Sequence, residues 1–275
     1  MPAKRSDCAR LPEKIETILF DFGGALDADG IAWKERFYAI SDKEGVRVSA
    51  DAFASAFYAA DDPLVGGLSP NAGLGETASA LAANLEIQLE RLASGQIQRG
   101  RHEGWRAASD ATLLMAPTAR LRGQLAGDLN ETGLAARMAQ RFLSDACAIF
   151  ARNLPTLQAL GRGRRLGIVS NFYGNLEAVC ESVGLAPLFG VIADSACVGV
   201  EKPDPKLFRF ALDALGATPE TTVFVGDSLR RDGEGARNAN LSFVWIAPEG
   251  VEPEAGSAPV AARIAKLPEL SALLQ

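Results

Sequence analysis

The stretch Ile18-Leu19-Phe20-Asp21-Phe22-Gly23-Gly24-Ala25-Leu26 decides how this chain is read. Residues 15–20, Ile-Glu-Thr-Ile-Leu-Phe, predict a short strand. It runs into a polar, glycine-rich turn at Asp21-Phe22-Gly23-Gly24, where aspartate and glycine suit tight backbone geometry. From residue 32 to about 150 the pattern is helical: alanine, leucine, arginine and glutamate dominate, and β-branched residues are sparse. Helices are expected at 32–44, 50–60, 74–93 and 132–151, with loops at 61–73 and 116–130; the stretch 95–130 has the least defined pattern. Beyond about residue 150 the chain alternates. Helix 153–162 precedes strand 165–169, helix 174–184 precedes strand 191–193, helix 205–215 precedes strand 222–226, and helix 232–239 precedes strand 242–246. A Pro/Gly/Glu-rich loop at 248–259 leads to a last helix near 268–274.

Such alternation predicts an α/β protein whose parallel sheet is covered on both faces. The apolar strands lack clean polar alternation, as strands buried on both sides do. The first strand then belongs with the C-terminal half. Residues 1–27 and 151–275 are expected to form the α/β core, and 28–150 a helical insertion. An insertion placed directly after strand one overhangs the carboxyl edge of the sheet, where open α/β folds bind ligands.

Composition narrows the function. The 275 residues are 48% hydrophobic and 23% charged, ordinary for a globular chain. The net charge of −6 does not suit a general nucleic-acid binder, which needs clustered positive charge. No apolar run follows the N-terminal Met-Pro-Ala-Lys-Arg-Ser-Asp, and no stretch reaches the roughly 18 unbroken apolar residues of a membrane span. A soluble, cytoplasmic protein is expected, with no membrane partner. The single histidine, His102, leaves little room for histidine-based triads or zinc sites. Cys8, Cys147, Cys180 and Cys197 form no C-x-x-C pair and are expected to be reduced, small core residues.

Four clusters carry chemistry: Asp21; Ser170-Asn171 after Gly167-Ile168-Val169; Lys202 in Glu201-Lys202-Pro203-Asp204-Pro205; and Gly226-Asp227-Ser228 with Asp232 five residues after Asp227. Three of them follow predicted strands. A carboxylate at a strand end can act as a nucleophile. A second on a neighbouring strand lets the two share a hard cation, and Mg2+ favours one or two carboxylates with phosphate oxygens and water. A lysine and a serine hydroxyl can balance and orient a phosphate. Phosphoryl transfer requires little beyond such positioning and charge neutralisation. Each cluster alone also has a local explanation, as a turn, a helix cap or a solvated loop.

In this order the clusters resemble the four motifs of the haloacid dehalogenase superfamily, over residues 15–27 and about 150–275. The flanks agree as well, in Gly199-Val200-Glu201-Lys202-Pro203-Asp204-Pro205-Lys206-Leu207-Phe208 and in Val225-Gly226-Asp227-Ser228 through Gly235-Ala236. The resemblance implies a Rossmann-like three-layer core with a helical cap inserted after motif one. It further implies that Asp21 is the nucleophile, and that Ser170, Asn171 and Lys202 hold the phosphate. Asp21, the Gly23 carbonyl, Asp227 and Asp232 would bind Mg2+. The expected substrate is a small phosphorylated molecule, and the expected route an aspartyl-phosphate intermediate.

The chain departs from the family pattern at one telling place. Most phosphatases of the family carry a second aspartate two residues after the nucleophile, which protonates the leaving group and then activates water. Here that residue is Gly23, and the usual threonine two further on is Ala25. Asp27, Asp29 and Glu35 follow closely enough to be considered as substitutes, although polar loop and exposed helix positions are the simpler expectation. Two alternatives therefore stand beside the phosphatase. One is carbon-bond hydrolysis. The retained pair Asp227 and Asp232 argues against the dehalogenase form, and the phosphonate-cleaving form would need Lys34 or Lys43 as a Schiff-base lysine. The other is a binding or regulatory protein that has lost turnover, against which the intact Asp21, Lys202, Asp227 and Asp232 argue. Arg36, Arg101 and Arg106 are candidates for contacting an anionic substrate group. Gly161-Arg162-Gly163-Arg164-Arg165 precedes a strand and so reads as a helix-ending turn, not a dinucleotide loop. His102 is expected at the surface, and Trp33, Trp105 and Trp245 in packing.

Overall fold

The structure is a computed structural model that describes residues 10–94, 133–253 and 255–274. The expectations for Cys8, for 95–130, and for Arg101, His102, Trp105 and Arg106 lie outside the described residues. Six strands form one parallel sheet: β1 Thr17–Phe20, β2 Arg165–Ser170, β3 Val191–Asp194, β4 Thr222–Gly226, β5 Ser242–Ile246 and β6 Ala262–Ile264, in the order β3-β2-β1-β4-β5-β6. β1 pairs with β2 and β4, Phe20 standing opposite Ile168 and Val225. This puts the end of β1 at the centre of the carboxyl edge, between the ends of β2 and β4.

The central strands β1, β2, β4 and β5 are buried on both faces, and the edge strands β3 and β6 partly so. Ile18, Phe20, Ile168, Val223, Val225, Val244 and Ile246 point into one core. Leu19, Val169, Phe224, Phe243 and Trp245 point into the other. The central strands are thus largely apolar, and their apolar residues alternate in which layer each contacts. Among the described residues, the first core is closed by α1 Trp33–Lys43, α2 Ala50–Asp61, α3 Leu74–Ala93, α4 Leu134–Gly161 and α5 Leu176–Ser182. A short turn, α6 Ser195–Val198, follows β3. The second core is closed by α7 Pro205–Leu215 and α8 Glu234–Asn238, while α9 Leu270–Leu273 packs on the first. These are the three layers and the helical insertion expected of the chain.

Local chemistry sets the element ends. Ser49 accepts the N–H of Ala52 at 3.3 Å to cap α2. Glu76 reaches back to the N–H of Gly73 at 2.7 Å to open α3. Asp204 caps α7 through Lys206, and Gly216 closes it in the left-handed region. Two expectations need correction. The helices expected at 132–151 and 153–162 are one 28-residue helix, α4, about 42 Å long, which runs through Pro155 and through the 150/151 boundary. The tail also holds a strand, β6, where only loop and helix were expected. The cysteines differ too: Cys180 is buried, but Cys147 and Cys197 are exposed. No helix among the described residues is long and apolar enough to cross a membrane.

Candidate active site

The sheet order brings the sequence-predicted residues together. Asp21 follows β1, Ser170 ends β2 and Asp227 follows β4, while Lys202 enters from the loop after α6. Asp21 is anchored by its backbone N–H to the carbonyl of Val225 at 2.8 Å. Its Oδ1 accepts the N–H of Phe22 at 2.8 Å and the hydroxyl of Ser170 at 2.7 Å, and pairs with Lys202 Nζ at 2.7 Å. All three contacts fall on one carboxylate oxygen. Lys202 Nζ also donates to Asp232 Oδ1 at 2.7 Å, and Asp232 Oδ2 accepts the Ser228 N–H at 2.9 Å. Ser170, Lys202 and Asp232 are buried, and Asp21 is 5% exposed.

Asn171 points elsewhere. Its amide oxygen accepts the Lys202 N–H at 2.8 Å, and its amide nitrogen donates to the Lys202 carbonyl at 3.2 Å. It thus holds the lysine's backbone. Asp194, which the sequence did not single out, accepts the N–H groups of Gly174, Leu176 and Ala196 and so shapes the loop after β2. Trp245 donates its indole N–H to the Asp227 carbonyl at 2.8 Å.

One atom of each of Asp21, Asp227 and Asp232 lies within 4.8 Å of the others. Burial pushes the Asp227 carboxyl far up, and the charges of Asp232 and Asp21 push it further. Burial also raises Asp232, against the pull of Lys202. For Lys202, burial favours the neutral amine, but Asp21 and Asp232 outweigh it and keep the ammonium charged. Three carboxylates therefore face one buried ammonium. Asp227 Oδ1 is buried with no hydrogen-bond partner. An orphaned carboxylate oxygen in an over-acidic cluster fits a small, hard divalent cation, which supplies the missing charge and ligand. The exposed Arg231 adds positive charge from the rim, acting on all three carboxylates.

Glycine is required at two places around this cluster. Gly24 has φ +94°, and a Cβ there would stand 2.6 Å from Asp227 Cγ. At Gly226 a Cβ would meet Asp232 Oδ2 at 2.4 Å.

The residues considered as substitute acids are engaged. Asp27 is fully buried, bound to the Gly24 N–H, the Trp33 indole and Arg36. Asp29 accepts Arg152 at 2.7 Å, and Glu35 pairs with Lys34 at 3.0 Å. Asp27 is therefore not the exposed loop residue expected. Arg36, expected as an anion contact, is buried and spent on Asp27 and on the carbonyl of Phe142.

The comparisons place the chain in a family. A family model described as "Hydrolase: haloacid dehalogenase-like hydrolase" matches residues 15–240, and the chain belongs to that family. It is 38% identical over 114 residues to the phosphoserine phosphatase of Thermus thermophilus, covering 41% of this chain and 45% of that one. It is 30% identical over 177 residues to the pyrimidine 5'-nucleotidase YjjG of Escherichia coli, covering 62% of this chain and 70% of that one. The match to the Thermus enzyme thus spans less than half its length. Among solved structures, the magnesium-bound HAD-hydrolase YfnB of Bacillus subtilis superposes with a TM-score of 0.52 at 19% identity, covering 96% of this chain and 100% of that one.

Proposed function

We propose that this chain is a Mg2+-dependent phosphohydrolase or phosphotransferase of small phosphorylated compounds, working through an aspartyl-phosphate on Asp21. The observation that carries this reading is the anchoring of Asp21: Ser170, Lys202 and the Phe22 N–H all bind Oδ1, which leaves Oδ2 to attack. Asp21 Oδ2 forms a bond to phosphorus as the bond to the leaving oxygen breaks. Lys202 and Ser170 neutralise and orient the phosphoryl oxygens. Water, or an acceptor hydroxyl, then attacks phosphorus as the Asp21 Oδ2–phosphorus bond breaks; its proton passes to solvent or to the phosphate formed, and Asp21 regains its carboxylate. Asp21, Asp227, Asp232 and the Gly23 carbonyl would hold Mg2+, which supplies charge neutralisation to the phosphoryl group. Asn171 acts by holding Lys202. In this reading residues 28–150 form a cap over a core of 1–27 and 151–275, and the cap shields the reaction from water. The named activities of the relatives, on phosphoserine, pyrimidine nucleotides and glyceraldehyde 3-phosphate, support a small phosphate ester as substrate.

Gly23 leaves no side chain to protonate the leaving group, and Asp27, Asp29 and Glu35 are committed elsewhere. A positioned acid or base is worth about 10²–10⁴-fold, or roughly 3–5 kcal/mol of barrier. The enzyme is therefore expected to favour substrates with good leaving groups. Carbon-bond cleavage through a Schiff base gains nothing from Lys34. Burial alone would lower its ammonium, but the bond to Glu35 raises it and keeps it protonated.

The test is hydrolysis of p-nitrophenyl phosphate with and without Mg2+, for wild type and Asp21→Asn. Metal-dependent turnover that disappears in the variant is the expected result. Equal rates in the two proteins would remove Asp21 as nucleophile and favour the binding-protein alternative.

A further inference from the structure

Asp27 lies six residues after Asp21, and no part of it reaches solvent. Oδ1 accepts the Gly24 N–H at 2.7 Å, while Oδ2 accepts the Trp33 indole at 2.8 Å and Arg36 Nη1 at 2.6 Å. Arg36 donates its other terminal nitrogen to the Phe142 carbonyl at 3.1 Å, and its guanidinium lies 3.8 Å over the Phe142 ring. One carboxylate thus joins the turn after β1 to α1 and, through Arg36, to α4. A buried ion pair is a weak source of net stability compared with apolar packing of the same volume. This one is directed at a backbone amide of the turn that bears the reactive aspartate.

Gly24 is the link to the site. Its Cα packs against the Asp227 carboxylate so closely that no side chain fits between them. Its carbonyl is also held, by the Gly30 N–H at 2.7 Å. Where the Gly23-Gly24 backbone stands therefore determines where the Asp227 carboxylate can stand, and Asp227 Oδ1 is the orphaned oxygen of the cluster.

We propose that Asp27 is a positioning residue: gripped by Trp33 and Arg36, it fixes the Gly24 peptide against Asp227 and so arranges the carboxylate cluster to receive its cation. On this view α1 is part of the frame of the site. The inference rests on the cation reading given under Proposed function, but not on turnover.

Calorimetric titration with Mg2+ tests it, alongside thermal unfolding of the same samples. The double variant Asp27→Asn with Arg36→Met removes both charges together, so neither is left buried alone. Trp33→Phe keeps an aromatic ring and the ion pair but removes the indole N–H together with one ring of the buried bicycle, so its unfolding temperature is read beside its Mg2+ affinity. Mg2+ affinity is expected to fall by about 10- to 100-fold in the double variant, the range found when partners that orient metal ligands are lost. It should fall by about 2- to 10-fold in Trp33→Phe, the equivalent of one ordinary hydrogen bond. A lower unfolding temperature with unchanged Mg2+ affinity would mean that the network serves stability alone, and would overturn the proposal. If the double variant does not fold, unchanged affinity in Trp33→Phe overturns it. Wild type that binds no Mg2+ overturns the cation reading and this inference together, whereas wild-type binding with unaltered variants overturns only the inference.

Discussion

Residue 23 is limited by space, not by backbone. Its φ of −74° and ψ of 119° are open to any residue. A Cβ there, however, would stand 3.2 Å from the indole nitrogen of Trp33, which donates to Asp27. An aspartate must therefore push the indole aside. Gly23→Asp alone is expected to cost about 1–3 kcal/mol of stability, as overpacking does, with no gain in hydrolysis of alkyl phosphates. Urea unfolding and kcat/KM on an alkyl phosphate check both parts, and a tenfold rise in kcat/KM would show that the pocket accepts an acid at 23 unaided. Asp21, Ser170 and Asp227 were legible in the sequence because strand ends in a parallel sheet share one edge, and Lys202 and Asp232 because their order and flanks match the family motifs. Asp27 and Arg36 were not. Their spacing, nine residues across a loop and a helix start, looks like ordinary solvated charge, and only the fold makes it a buried pair.

At the scale of elements, α4 ties the insertion to the sheet. Phe142 stacks on Phe37 with ring centroids 4.7 Å apart and meets Trp33 edge-on at 4.8 Å. Farther along, the buried Asn153 donates to the Leu26 carbonyl at 3.0 Å, just past the turn that carries Asp21. Asn153→Leu nearly preserves volume but leaves that carbonyl without its donor. It is expected to destabilise the protein by about 1–3 kcal/mol, read from the urea midpoint, and an unchanged midpoint would show that Leu26 needs no donor. The sequence divided α4 because Arg152, Asn153 and Pro155 together look like a break. Tertiary bonds to Asp29 and Leu26 account for the two polar residues, and the buried Leu157 and Leu160 continue the apolar face beyond the proline. β6 went unread for another reason: three residues carry too little pattern, and its identity as a strand comes from pairing beside β5.

For the whole molecule, the decisive contact is the seam between the inserted helices and the core. Among the described residues, the core segment just past Ser170 and Asn171 contributes several of its bonds. The Gly66 N–H reaches the Tyr173 carbonyl at 3.0 Å, Asn175 donates to the Ala72 carbonyl and to Thr77 at 2.8 Å each, and Ser182 accepts the Leu74 N–H at 3.1 Å. Tyr173 also donates its hydroxyl to Asp61 at the end of α2. Burial in this seam raises the Asp61 carboxyl to about 6; the Tyr173 bond and Arg231 oppose the shift, and the neighbouring Asp62 adds to it. An acid with a raised folded pKa binds a proton in the native state that the unfolded chain has already lost. Stability from this group is therefore full below the unfolded value near 4, falls as pH rises towards 6, and stays at the lower level above it. Asp61→Asn keeps an oxygen for Tyr173 and removes the titration. The variant is expected to be more stable than wild type above pH 6, by as much as about 3 kcal/mol, with the two converging below pH 4. Asp227 and Asp232 titrate in both proteins, so the difference between urea midpoints measured from pH 4 to 8 isolates Asp61. A difference that does not change with pH would mean that the seam leaves Asp61 hydrated, and that the inserted helices do not close on the core there.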